Sequence, residues 1–312
     1  MSRTPAPPVE MPDLRGRTAL VTGASDGVGV EIARGLAAAG AELVLPVRNR
    51  TKGERAIESI RSTVPDARLT LRDLDLARLE TVRALADALG AERVPLDIVV
   101  LNAGIVLLGD PERHVSVDGF ELHFQTNFLG HFALTTALLP LLHERRARVA
   151  VQLSLAAGVS RVPWDDLQSA RRYRPLRAYG GSKVALGLFG YELARRSRAQ
   201  ESGVTVGFSH PGVVPGTAIA PAMRTRGGNG VGRALSERLG GTPAQAAQSA
   251  LLAATAPGEN PPGFFGPSGL FHFGGPAAPQ RPYPRLADEA DGARIWKLAE
   301  RLLDERIGTT AP

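Results

Sequence analysis

Short runs of β-branched and other apolar residues alternate along the chain with longer stretches whose apolar positions recur at helical spacing. TALVT (18–22), ELVL (42–45), RLTL (68–71), DIVVL (97–101), RVAVQL (148–153) and VTVGFS (204–209) predict strands. They read as nearly continuous apolar runs rather than as apolar–polar alternation, so they suit strands buried on both faces. Helical spacing predicts helices over 29–39, 51–63, 79–89, 119–142, 178–198 and 242–254, with a late helix near 288–303. Strand–helix alternation of this length implies an α/β fold, a doubly wound parallel sheet flanked by helices.

The last third changes character. Glycine and proline interrupt the chain from 211 to 241 and again from 257 to 284, and these stretches predict long loops rather than central sheet. The chain divides into a flexible N-terminal segment, 1–13, and one catalytic domain, 14–312. Within that domain the region about 211–285 is expected to form the substrate wall.

Composition narrows the class. The chain has 312 residues, 43% hydrophobic and 22% charged, ordinary for a soluble globular domain. It has no cysteine, which excludes disulfides, thiolate metal sites and a cysteine nucleophile. The net charge of +6 raises the question of nucleic acid. The arginines are scattered, with short clusters at 144–148 and 171–174 and no basic block interleaved with aromatics, so no nucleic-acid partner is expected. The proline-rich start lacks the apolar core of a signal peptide, and no run of about eighteen apolar residues predicts a membrane span. A soluble cytoplasmic protein with no membrane contact is the expectation.

VTGASDGVGVEIARGLAAAG (21–40) runs from a strand into an amphipathic helix. Gly23, Gly27 and Gly29 allow a sharp turn and close approach to a ligand, with the N–H groups of the next helix aimed at a phosphate. The spacing T-G-x-x-x-G-x-G, Thr22 to Gly29, resembles the short-chain dehydrogenase/reductase superfamily, and the resemblance runs from about Leu14 to Leu303. It implies a Rossmann-like fold with Gly23, Ser25, Asp26, Gly27, Val28 and Gly29 at the cofactor pyrophosphate. It also implies Asp75 and Leu76 at the adenine, Asn102, Ala103 and Gly104 in the N-A-G loop, and Pro211 and Gly212 closing over the nicotinamide. The family's hydroxyl after P-G has no match in register: Gly216 falls near that position, and Thr217 follows.

The second strand ends LPVRNR, which puts Arg48 and Arg50 where the adenosine ribose lies in such a fold. Arginine attracts a 2′-phosphate and an acidic residue there repels it, so NADP(H) is favoured over NAD(H). Asp26 opposes this, because family members that prefer NADP often carry a basic residue in the turn.

In AYGGSKVALGLFGYELARR (178–196), Lys183 stands one helical turn after Tyr179, and it is one of three lysines among thirty-four arginines. A phenol titrates near ~10, too high for easy proton exchange at neutral pH, and a neighbouring ammonium favours the phenolate. The ammonium is a compact charge with three donors, fit to polarise a phenol and hold ribose hydroxyls together. Ser154 ends the preceding strand at the edge facing the ligand crevice, where a hydroxyl can stabilise an oxyanion. The resemblance adds Asn127 as a fourth catalytic residue, supporting a proton relay behind the lysine.

Within the superfamily the serine-to-lysine segment looks most like the retinol-dehydrogenase-like branch, with Leu153 in place of that branch's first serine. The resemblance implies an NAD(P)-dependent oxidoreductase that interconverts an alcohol and a carbonyl on a small apolar substrate. It also implies a homodimer or tetramer paired through the helices carrying Asn127 and Tyr179. Two alternatives stay open: epimerisation or dehydration on the same scaffold, and a catalytically silent dinucleotide sensor.

Other features are weaker. Tyr173 has an arginine, Arg177, four residues on, but no lysine, so it does not repeat the Tyr179–Lys183 pair. His114, His123 and His131 lack an acidic or histidine partner at metal-ligand spacing, so no metal is expected. QLSLA is not a hydrolase elbow. Phe264, Phe265, Phe271 and Phe273 either line an apolar pocket or pin the late loop to the sheet.

Overall fold

Strands β1 (Thr18–Val21), β2 (Glu42–Val47), β3 (Leu69–Asp73), β4 (Leu96–Leu101), β5 (Arg148–Gln152) and β6 (Thr205–Ser209) form where the apolar runs predict them. The computed structural model describes residues 9–215, 240–257 and 262–309. Two further strands, β7 (Phe264–Pro267) and β8 (Ala277–Pro279), complete a single sheet of order β3-β2-β1-β4-β5-β6-β7-β8. Every pairing from β3 to β7 is parallel, and β8 closes the edge antiparallel to β7.

The apolar runs alternate between two cores. Leu20, Val99, Leu101, Val149, Val151, Val206 and Phe208 pack on one side of the sheet, while Ala19, Val21, Leu43, Leu45, Ile98, Val100 and Ala150 pack on the other. Helix α1 (Gly27–Ala38) covers the second side with α8 (Pro243–Thr255), whose capping box of Thr242 and Gln245 fixes its start. Helices α5 (Gly130–Arg145) and α7 (Pro175–Ala199) cover the first side. Helices α2 (Arg50–Arg61) and α3 (Leu79–Ala91) fill the remaining crossovers.

Two expectations are corrected, and one open alternative is decided. The Gly/Pro-rich late region is not all loop, because Phe264 and Phe265 project into opposite cores and so give β7 two buried faces. Pro267 falls at the end of β7 and Pro279 on the edge strand β8, where a missing N–H costs little. These two phenylalanines therefore pin the sheet, while Phe271 is 65% exposed. The helix expected from residue 119 starts later, because Gly119 sits at φ +88° in a turn and the Glu121 carboxylate caps α4 (Leu122–Phe124) by accepting from the Phe124 N–H. A π turn, Gln125–Leu129, joins α4 to α5.

The late helix α9 (Glu289–Thr309) lies along α7. Its Trp296 is buried against Phe132 of α5 (5.1 Å between ring centres) and Phe189 of α7 (5.6 Å), with the Arg196 guanidinium 4.2 Å over the indole. The chain's own last helix thus covers the face around Phe132 and Phe189. No described helix is long and apolar enough to cross a membrane.

Candidate active site

The site lies at the C-terminal edge of the parallel strands, where α/β sheets of this winding bind ligands. After β1 the chain passes through Gly23 at φ +71°, a left-handed conformation that costs other residues energy. A side chain at Gly29 would collide with the Gly23 carbonyl and the Asn102 amide, so the turn closes tightly on itself. A cleft of about 670 Å³ opens beside it. Its lining includes Gly23, Ser25, Asp26, Gly27, Val28 and Gly29 of the turn, Arg48 after β2, Asp75 and Leu76 after β3, and Asn102, Ala103 and Gly104 after β4. The structure thus gathers residues far apart in sequence on one wall, with the N-terminus of α1 pointing into the space.

The end of the cleft beyond β2 is cationic. Arg48 lines it, but Arg50 does not; Arg50 pairs instead with Asp73 at 3.2 Å. Lys52 also lines the cleft and lies 3.7 Å from Asp26. The opposing charge of Asp26 is therefore met within the site, leaving Arg48 as excess positive charge. Lysine's rarity in this arginine-rich chain was the signal that could have found Lys52, since the same signal marks Lys183.

The proton-handling candidates Ser154, Tyr179, Lys183 and Asn127 do not line this cleft; Asn127 and Lys183 stand behind its Gly104 wall. Ser154 stands two residues past β5, and its hydroxyl neighbours the Tyr179 phenol of α7 closely enough to favour the phenolate. Lys183, 4% exposed, donates from Nζ to the Gln152 carbonyl at 3.1 Å. The Gln152 side chain bridges Asn102 Oδ1 (2.8 Å) and Ser209 Oγ (3.0 Å), bracing three strand ends. Asn127, fully buried in the π turn, clasps the backbone of Ile105 by accepting from its N–H (2.8 Å) and donating to its carbonyl (3.1 Å). Its amide also donates to Ser182 Oγ (3.0 Å). Gly104 is the point of contact: a Cβ there would stand 3.1 Å from Asn127 Oδ1 and 3.3 Å from Lys183 Nζ. A small residue lets the cleft wall lie directly against the catalytic groups.

The electrostatics revise one expectation. Burial pushes the Tyr179 phenol up, and the opposing influence is the Ser154 hydroxyl rather than Lys183. Burial also brings the Lys183 ammonium down to about 8, leaving it mostly charged at neutral pH. The site therefore holds a protonated phenol beside a hydroxyl, with a buried cation near the cleft wall.

The family model described as short chain dehydrogenase matches residues 17–228. The chain belongs to the short chain dehydrogenase family. Human retinol dehydrogenase 12 is 41% identical over 202 residues, 64% of this chain and 62% of that protein, so the match spans less than two thirds of its length. Polyprenol dehydrogenase of Danio rerio is 34% identical over 257 residues, 79% of this chain and 76% of that protein. The solved Pseudomonas aeruginosa RhlG/NADP active-site complex is 30% identical, covering 78% of this chain and 91% of that one, with a TM-score of 0.61.

In this short chain dehydrogenase the three histidines singled out from the sequence do not converge. His114, expected to lack an acidic partner, in fact pairs with Asp110 at 2.7 Å, with a Glu112 carboxylate within 4.8 Å of both. His123 bonds Glu121 through Nδ1 (2.8 Å), accepts the Leu107 N–H at Nε2 (3.1 Å), and sets its ring edge-on to Tyr179 with centres 6.0 Å apart. That buried pair fixes the loop after β4 and one side of the phenol, a role only the fold reveals. His131 joins Thr22 to Asn127. Tyr173 keeps a buried hydroxyl without a hydrogen-bond partner, and its pKa is pushed up to about 12 by burial, with Glu121 and Asp110 adding to it. Pro211 and Gly212 follow β6 and do not line the cleft; Gly212 adopts φ +71° against the backbone of His272 and Phe273. Gly216 and Thr217 lie outside the described residues.

Proposed function

We propose that this chain is an NAD(P)-dependent oxidoreductase that interconverts an alcohol and a carbonyl, with Tyr179 as acid/base. The observation that carries the reading is the meeting of Ser154, Tyr179, Lys183 and Asn127 behind the Gly104 wall of the cleft. The cleft suits a dinucleotide: the glycine turn and α1 face a pyrophosphate, and the Arg48 and Lys52 end attracts a 2′-phosphate. Gly23, Ser25, Gly27, Val28 and Gly29 would hold the pyrophosphate, Asp75 and Leu76 the adenine, and Asn102 to Gly104 the central span. Bound there, the nicotinamide supplies or accepts hydride.

The chain's own residues handle the proton. In the reducing direction Ser154 donates a hydrogen bond to the carbonyl oxygen and Tyr179 delivers its proton as negative charge grows there. Burial keeps the phenol protonated, ready to donate. The Ser154 hydroxyl favours the phenolate left behind, the buried Lys183 ammonium stands ready beside Gly104 to hold ribose hydroxyls, and Asn127 holds the loop and helix between which the proton is restored. In the oxidising direction the same groups act in reverse.

NADP(H) is the preferred cofactor in this reading because Arg48 and Lys52 outweigh Asp26. An apolar alcohol or carbonyl is the substrate class, supported by the names of the retinol and polyprenol relatives. For assembly, α9 on α7 supports a chain that does not pair subunits through the Phe132 and Phe189 face. A panel of apolar aldehydes, ketones and alcohols, followed by NADPH or NADH absorbance, tests the activity. Cofactor consumption with at least one member supports it, and tight dinucleotide binding without turnover across the panel refutes it.

A further inference from the structure

We propose that His131 is a positioning residue of the active site: held as the Nδ1–H tautomer, it fixes the peptide carbonyl of Asn127 to the end of β1, touching neither substrate nor cofactor. The ring is fully buried, and both nitrogens have partners: Nδ1 lies 3.2 Å from Asn127 O and Nε2 lies 3.1 Å from Thr22 Oγ1.

Hydrogen-bond bookkeeping decides the tautomer. A carbonyl only accepts, so Nδ1 carries the proton, and a neutral ring then has a bare Nε2 that accepts. Burial, with Lys183 nearby, lowers the His131 pKa to about 3, which keeps the ring neutral. Thr22 Oγ1 accepts from the N–H groups of Asn102 and Ala103, both at 3.0 Å. Its single proton could go to Val100 O (3.2 Å) or to His131. Val100 O already accepts from the Thr22 N–H at 3.0 Å. If the hydroxyl proton went to Val100, a buried Nε2 lone pair would face an oxygen lone pair, at the cost of an unsatisfied acceptor. The proton therefore points at Nε2.

The result is one directed chain. The N–H groups of Asn102 and Ala103, on the cleft wall, donate to Thr22. Thr22 donates to His131, and His131 donates to the Asn127 carbonyl. A π turn makes this arrangement useful: Gly130 N–H reaches Gln125 O five residues back, so the regular i+4 register is lost through the turn. Beside this irregular turn the ring of residue 131 reaches back to Asn127 O with Nδ1. The carbonyl is thereby aimed while the Asn127 side chain stays free to clasp Ile105 and Ser182. Ser182 in turn donates to the Tyr179 carbonyl at 2.7 Å. His131 thus acts on the proton-handling end through Asn127.

The inference rests on the oxidoreductase reading for its catalytic consequence but not for its geometry, and two measurements separate them. Long-range ¹⁵N–¹H correlation spectra of histidine-labelled protein read the tautomer directly. A protonated Nδ1 at His131 is expected, and a protonated Nε2 overturns the proposal whether or not the protein turns over. A wild type with the expected tautomer but no turnover would sink the oxidoreductase reading and, with it, the kinetic role.

In the active protein, His131→Phe is expected to lower kcat about ten- to hundred-fold, as a misplaced catalytic group does. KM and dinucleotide Kd should stay within about two-fold, because binding contacts are untouched. His131→Asn keeps a donor at the Nδ1 position and should recover most of kcat, whereas His131→Gln places its donor at the Nε2 position and should not. Unchanged kcat in the Phe variant, or equal losses in Asn and Phe, overturns the role. If the Phe variant does not fold, the Asn and Gln pair decides: Asn active and Gln impaired supports it, and any other order overturns it.

Discussion

Acid should unfold this protein partly through His131. The ring is fully buried, and its folded-state pKa is lowered to about 3 against 6.5 for an ordinary imidazole. The unfolded chain therefore binds a proton below pH 6.5 that the folded chain refuses. Because the unfolded state binds more protons in this window, stability falls as pH falls from 6.5 toward 3, and is fully retained above 6.5. Each pH unit is worth about 1.4 kcal/mol, so moving from pH 6.5 to 4.5 costs roughly 3 kcal/mol from this residue alone. Urea denaturation of wild type and His131→Gln, at pH 7 and at pH 4.5, isolates it, because the carboxylates titrate alike in both proteins. Wild type should lose about 3 kcal/mol more than the variant across that interval. Equal losses in the two proteins would refute the buried neutral imidazole.

Three further outcomes follow from the same geometry. Arg48→Asp should shift the ratio of kcat/KM from NADPH toward NADH by about ten-fold or more, and Lys52→Ala should move it the same way by less, since Lys52 shares its charge with Asp26; an unmoved ratio in both removes them from the cofactor site. Lys183→Arg should lose most activity, because a planar guanidinium does not fit the buried pocket at the Gln152 carbonyl and beside Gly104. A fully active arginine variant would undo the argument from shape. Trp296→Ala should cost about 3–5 kcal/mol of stability, read by urea denaturation. A stable dimer that buries Phe132 and Phe189 would contradict the covering role of α9.

The parts of the site legible in the sequence are those whose members sit close together on one element or one turn. Tyr179 and Lys183 share a helix face, Thr22 to Gly29 share one turn, and Ser154 ends a strand that the apolar pattern marks by itself. The parts that were not legible depend on contacts across the fold. His131 and Thr22 are 109 positions apart, and Gln152 meets Asn102 across 50. Nothing in the local pattern of either partner announces such a pairing. Lys52 stands within the second crossover, yet only the folding of α2 against the glycine turn brings it to Asp26. Strand β7 was hidden for another reason: glycine and proline at its end and on its neighbour outweigh, in composition, two phenylalanines that the sheet needs. The phenol's electrostatics are not legible from spacing, because spacing reports neither the burial that raises its pKa nor the Ser154 hydroxyl that opposes it.

The central claim is that Tyr179 trades a proton with the substrate oxygen. Its most direct test is Tyr179→Phe, with turnover and NADPH affinity measured separately on the same folded protein. A fall in kcat of about a hundred- to ten-thousand-fold is expected, with dinucleotide affinity largely kept. Turnover equal to wild type, in a variant lacking the phenolic oxygen, would contradict it.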